Sequence, residues 1–176
     1  MRKFIGFLIV TFLMLAILCV VASAETTVDL LAGQDILAGT VAVSYDSGYL
    51  CFIYETEGDW QLVETHFTIA EILENIPQTK KGNPKVGHFL YGDDELGQYD
   101  AEDNLIGGAD IYGDCIELEL VDGTYIIAAH AKLVNTEEVD DEDNLVTETG
   151  WGEGDEFDDD RNWAMYFELV IPEPEP

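Results

Sequence analysis

The chain reads as an all-β protein: an antiparallel β-sandwich or jelly-roll-like domain of about eight strands with one short helix. Three observations predict it. Short runs alternate apolar and polar residues, turn-forming residues separate those runs, and a single stretch has helical spacing.

The elements follow in order. Val28 to Leu31 is a short candidate strand, and Thr40 to Tyr45 alternates clearly. Asp46-Ser47-Gly48 is a three-residue turn with glycine where a positive φ is needed, and Tyr49 to Glu55 is the return strand. Glu57-Gly58-Asp59 turns the chain again into Trp60 to Phe67. Ile69, Ile72, Leu73 and Ile76 then fall on one helical face. Thr68 and Glu71 have capping-box spacing, and Pro77 would end that helix. His88 to Tyr91 is a further short strand. Ile116 to Val121, Asp122-Gly123 and Tyr125 to Val134 read as a second hairpin, because Asp-Gly is a strong two-residue loop signal. Trp163 to Ile171 is the last strand, and residues 172–176 form an extended Pro/Glu tail.

The chain opens with an export signal. Arg2 and Lys3 precede an apolar run from Phe4 to Val21, and Ala22-Ser23-Ala24 is the small-x-small pattern of a cleavage site. Residues 1–24 are expected to be removed, leaving one domain over 25–171; the alternative is an uncleaved anchor. Cys19 lacks the small preceding residue of a lipobox. The expected location is secreted, extracellular or on the cell surface. All 37 acidic residues but only five of the seven basic ones follow position 24, so residues 25–176 carry a formal charge of −32. Nucleic acid and anionic membrane are excluded as partners by charge. Such self-repulsion calls for salt or divalent cations. Cys51 and Cys115 remain after cleavage; in an oxidising compartment they are expected to form a disulfide, the alternative being two buried thiols.

Five stretches occur together: Glu64-Thr65-His66, Ile76 to Gly87 (IPQTKKGNPKVG), Ile127 to Ala131 (IAAHA), Trp151 to Gly154 (WGEG) and Asn162 to Phe167 (NWAMYF). With them the chain resembles a secreted domain of prokaryotic surface proteins, over most of residues 25–176. The resemblance implies an extracellular module and supplies no catalytic residues.

The candidate chemistry is limited. Glu64 and His66 share a strand face, and His130 sits in another predicted strand; two imidazoles and a carboxylate suit zinc, and with an open position they suit hydrolysis. The competing reading is a pair of half-buried, hydrogen-bonded histidines. Two acidic loops, Asp93 to Asp103 and Glu137 to Asp160, are candidates for calcium. Asp100, Glu102 and Asn104 alternate in the first, and Asp155, Asp158, Asp159 and Asp160 cluster in the second. The competing reading is a solvated acidic surface. DAEDNLI at 100–106 and DDEDNLV at 140–146 are similar enough to be a duplicated loop, or else convergent hairpin tips. Lys80, Lys81 and Lys85 form a lone basic loop that could dock on an acidic loop of another copy. Trp151, flanked by glycines, is the one tryptophan expected to be exposed for a sugar ring. The reading these features support is a non-catalytic surface, adhesion or structural domain, stabilised by calcium or salt and partnered by itself, other surface proteins or glycans. The alternatives are a metal-dependent hydrolase at His66, His130 and Glu64, and a carbohydrate-binding module at Trp151.

Overall fold

The computed structural model describes residues 23–158 and 162–173. Most of the expected signal (1–22), residues 159–161 with Asp159 and Asp160, and the end of the tail (174–176) lie outside the described residues. The strands are β1 (Ala24–Ala32), β2 (Ile36–Asp46), β3 (Tyr49–Thr56), β4 (Trp60–Ala70), β5 (Tyr91–Asp93), β6 (Gln98–Tyr99), β7 (Leu105–Gly107), β8 (Ile111–Glu117), β9 (Gly123–Val139), β10 (Leu145–Gly152), β11 (Asp155–Asp158) and β12 (Asn162–Ile171). The expected all-β antiparallel class is what forms. Ten strands join in one sheet, with β6 and β7 as a separate ribbon.

That sheet coils nearly into a barrel. Its path runs β11-β12-β9-β10-β1-β2-β3-β8. β9 is 17 residues long, and β4 lies along residues 126–135 of it. β12 pairs with the first part of β9 and β10 with the last. Just before β8, Ala109 exchanges two backbone hydrogen bonds with Leu62 of β4, at 2.8 and 2.9 Å, which draws the two ends of the sheet together.

The strand period of two decides what the barrel encloses. β2 sends Val41 and Val43 inward and β3 sends Leu50, Phe52 and Tyr54, all fully buried. Phe52 of β3 stacks on Phe67 of β4 across the interior, with centroids 4.2 Å apart and planes within 6°. Tyr54 donates its hydroxyl hydrogen to the carbonyl of His66 at 3.0 Å, so this buried phenol is not left unpaired. A second, smaller core lies on the outer face of β9, β10 and β12, where Ala128, Trp151, Ala164 and Met165 pack under Ile76, Val86 and Phe89.

Several expectations are corrected. The helix over 68–76 shrinks to a 3₁₀ turn, Leu73–Asn75, with no side-chain cap; β4 continues through Thr68 to Ala70 instead. The β9 ladder offers every residue of that stretch a backbone partner, which a single amphipathic turn cannot match. The Asp122-Gly123 hairpin does not form: β8 ends at Glu117 and pairs with β3, and β9 starts anew at Gly123. Residues 137–158 of the acidic stretch are largely strand, with β9 reaching Val139 and β10 returning from Leu145. Its solvent-facing ladder accepts charged side chains, so composition concealed it. Disulfide pairing of Cys51 and Cys115 is present, linking directly opposed residues of β3 and β8.

Candidate functional site

The strongest clustering of chemistry-bearing side chains lies on the outer face of β4 and β9. A bulge in β4 creates it. Leu62 pairs with Leu133 and Glu64 with Lys132, so Val63 is an extra residue. The ladder beyond the bulge then sets His66 opposite His130, with Glu64 on the same face. Unbulged, His66 would pair with Ala129 and point into the barrel. The expected meeting of the two histidines therefore occurs, with ring centroids 5.3 Å apart.

Asp94 is the member that sequence reasoning missed. It follows β5, whose Gly92 pairs with His66. Gly92 has φ +136°, and a Cβ there would stand 1.9 Å from the carbonyl oxygen of Thr65. Only glycine lets β5 come this close. The Asp93 amide donates to the Thr65 hydroxyl at 3.2 Å, fixing the crossing. Asp94 Oδ1 then lies 3.6 Å from His66 Nε2, and Glu64 Oε2 lies 3.7 Å from the same nitrogen. One donor atom from each of Glu64, His66 and Asp94 lies within 4.8 Å of the others. Lys132 Nζ donates to the other Glu64 oxygen, Oε1, at 3.2 Å. His66 and Asp94 open onto a cavity of about 140 Å³ floored by Gly87, Phe89 and Gly92.

His130 lies beside this cluster and is not one of its three close donors. It stands between His66 on one neighbouring strand and Trp151 on the other, with the Trp151 ring edge-on at 4.9 Å. Burial, reinforced by the neighbouring His66, pushes its pKa down to about 3. It is therefore a neutral imidazole at ordinary pH. Its Nδ1 is buried without a hydrogen-bond partner.

Trp151 is only 5 % exposed, which corrects its expected role as an open platform for a sugar. The segment 71–90 folds over it, bringing Phe89 edge-on at 6.4 Å. The five motif stretches meet on this face: Ile76 and Val86, Ala128, Trp151, and Trp163 to Met165 share the outer core, next to His66 and His130.

The similar loops at 100 and 140 are both hairpin tips, joining β6 to β7 and β9 to β10. Their hydrogen bonds match. Asp100 Oδ1 accepts from the Glu102 and Asn104 amides at 2.9 and 2.8 Å, and Asp140 Oδ1 from those of Glu142 and Asn144 at 2.8 and 3.0 Å. Asp103 and Asp143 take φ +68° and +62°. Bonding to Asn104, above all to its side chain, lowers the Asp100 pKa; the Asn144 and Glu142 amides lower that of Asp140. Both tips line one open cleft of about 860 Å³, with Lys132 at its side. Asp100 and Asn104 thus bond to each other, and exposed Glu102 projects from the same turn. Of the other acidic candidates, Asp155 and Asp158 lie in β11, and Asp159 and Asp160 lie outside the described residues. Lys80, Lys81 and Lys85 are exposed in the loop before the 3₁₀ turn Val86–His88.

No family model, curated protein or solved structure matches this chain. Among the described residues, no helix is long and apolar enough to cross a membrane.

Proposed function

We propose that this protein is a non-catalytic extracellular module whose acidic twin-tip cleft is its binding face. The observation that carries the reading is the convergence of two hairpin tips, alike in sequence and in turn geometry, on one cleft. The Asp100 and Asp140 carboxylates hold the turns, while Asp103, Glu142 and Asp143 remain at the cleft surface. Oxygen donors held this way suit a hard cation such as calcium, or the lysines of a protein partner, another copy's Lys80–Lys85 loop included. The N-terminal export pattern and the Cys51–Cys115 disulfide support an oxidising, extracellular setting.

The test is the melting temperature of the protein in chelator and in millimolar calcium at fixed ionic strength, then in molar sodium chloride. A rise with calcium that Asp103→Asn with Asp143→Asn removes supports the reading, since a ligand of the native state stabilises it by mass action. A rise with sodium chloride alone reduces the acidity to salt adaptation and overturns the calcium assignment.

A further inference from the structure

The geometry points to a transition-metal site on the opposite side of Lys132 from the acidic cleft, in which Glu64 Oε2, His66 Nε2 and Asp94 Oδ1 bind one zinc-class divalent ion. Three observations carry it.

The first is spacing. Tetrahedral bonds of about 2.0–2.2 Å to nitrogen and oxygen put neighbouring donor atoms about 3.3–3.6 Å apart. His66 Nε2 lies 3.6 Å from Asp94 and 3.7 Å from Glu64. Those distances exceed the roughly 2.7–3.2 Å of a hydrogen bond, so the imidazole is not simply bonded to either carboxylate. One imidazole and two carboxylates are a donor set suited to zinc.

The second is the way the donors are held. Lys132 engages Glu64 through Oε1 and leaves Oε2 on the His66 side. The close approach at Gly92 sets Asp94 against His66, and the Tyr54 hydroxyl anchors the His66 carbonyl from inside the barrel. The donors come from β4 and from the turn after β5, and both segments are tied down at the site.

The third is an orphaned atom. His130 Nδ1, on the residue directly across from His66, is buried and unpartnered. A buried polar atom left without a partner calls for an explanation, and a water held beside a bound ion supplies one. The cavity of about 140 Å³ lined by His66 and Asp94 has room for water at the ion. The ion would therefore be held by three protein donors with a position open.

The experiment is calorimetric titration of the disulfide-intact protein with zinc chloride after chelator treatment, in excess calcium. Excess calcium competes for all-oxygen sites, so zinc that stays bound in its presence reports a site containing nitrogen. The expected result is one equivalent of zinc. His66→Gln and Asp94→Asn should each weaken it by more than about a hundredfold, the upper end for loss of a supporting partner alone. Asp103→Asn, in the acidic cleft, should leave it unchanged. Asp94 is 75 % exposed, so its variant does not disturb the core, and equal melting temperatures in chelator would confirm that. Zinc binding that calcium displaces, or that survives in both His66→Gln and Asp94→Asn, overturns the proposal. So does the absence of a one-equivalent phase in the unaltered protein.

Discussion

Replacing both Cys51 and Cys115 by serine isolates what the disulfide contributes. The bridge closes a sequence separation of 64 residues, spanning β3, β4 and everything up to β8. Chain-entropy reasoning assigns such a loop about 4 kcal/mol. The alternation of β3, with Leu50 and Phe52 buried on either side, puts Cys51 on the outer face, and Cys115 is exposed. Serine at these positions leaves no core cavity, so nearly all the loss should come from the freed unfolded chain. A domain of this size loses about 2–4 °C per kcal/mol, so the melting temperature should fall by about 8–16 °C. Guanidinium unfolding of the serine variant and of the reduced wild-type chain should agree with each other. A loss below about 1 kcal/mol would refute the loop-closure argument. So would a reduced wild type that stays much more stable than the serine variant, because the substitution itself would then be the cause.

Other outcomes follow from the same geometry. Phe67→Ala removes the ring stacked on Phe52 at the centre of the barrel and should cost about 3–5 kcal/mol in denaturant unfolding. Gly92→Ala meets the Thr65 carbonyl and a φ of +136°; it should destabilise the fold by about 1–3 kcal/mol in the same assay. If the metal site is as inferred, the same variant should weaken zinc binding in calorimetry by moving Asp94. The Asp100 and Asp140 carboxyls lie below their ordinary range in the folded protein, so they favour folding above the unfolded carboxyl pKa. That contribution is lost as pH falls through the lower, folded value. Amide exchange at Glu102, Asn104, Glu142 and Asn144 should therefore report loosened tips in acid, and Asn104→Ala should move the Asp100 titration, followed by carboxyl NMR, upward.

Much was legible in the sequence because it rests on local chemistry. Alternation in Thr40 to Tyr45 and Tyr49 to Glu55 marks which side chains face inward whatever the strands pair with, and β2 and β3 contain both runs. Asp46-Ser47-Gly48 announced its turn, and Ser47 and Gly48 do take φ +52° and +85°. The two cysteines that follow the expected signal announced a bridge. The likeness of the two Asp-rich loops was visible as well, because an aspartate that caps its own turn needs only four following residues.

Pairing across long separations was not legible. Strand ends gave way to the β9 ladder where a helix was expected, and β8 chose β3 over the nearer β9. Trp151 looked exposed between its glycines until the segment 71–90 closed over it. The candidate metal cluster depends on a one-residue bulge at Val63 and on β5 crossing at Gly92, and neither leaves a mark in periodicity. Residue order alone determined the class of the fold, the turn at Ser47-Gly48, its charge and its cross-link, since each arises within a few bonds or from bulk composition. Which carboxylate meets His66, and which aromatic residue is covered, were decided only when the sheet coiled, because a single residue of register reverses the face on which every later side chain lies.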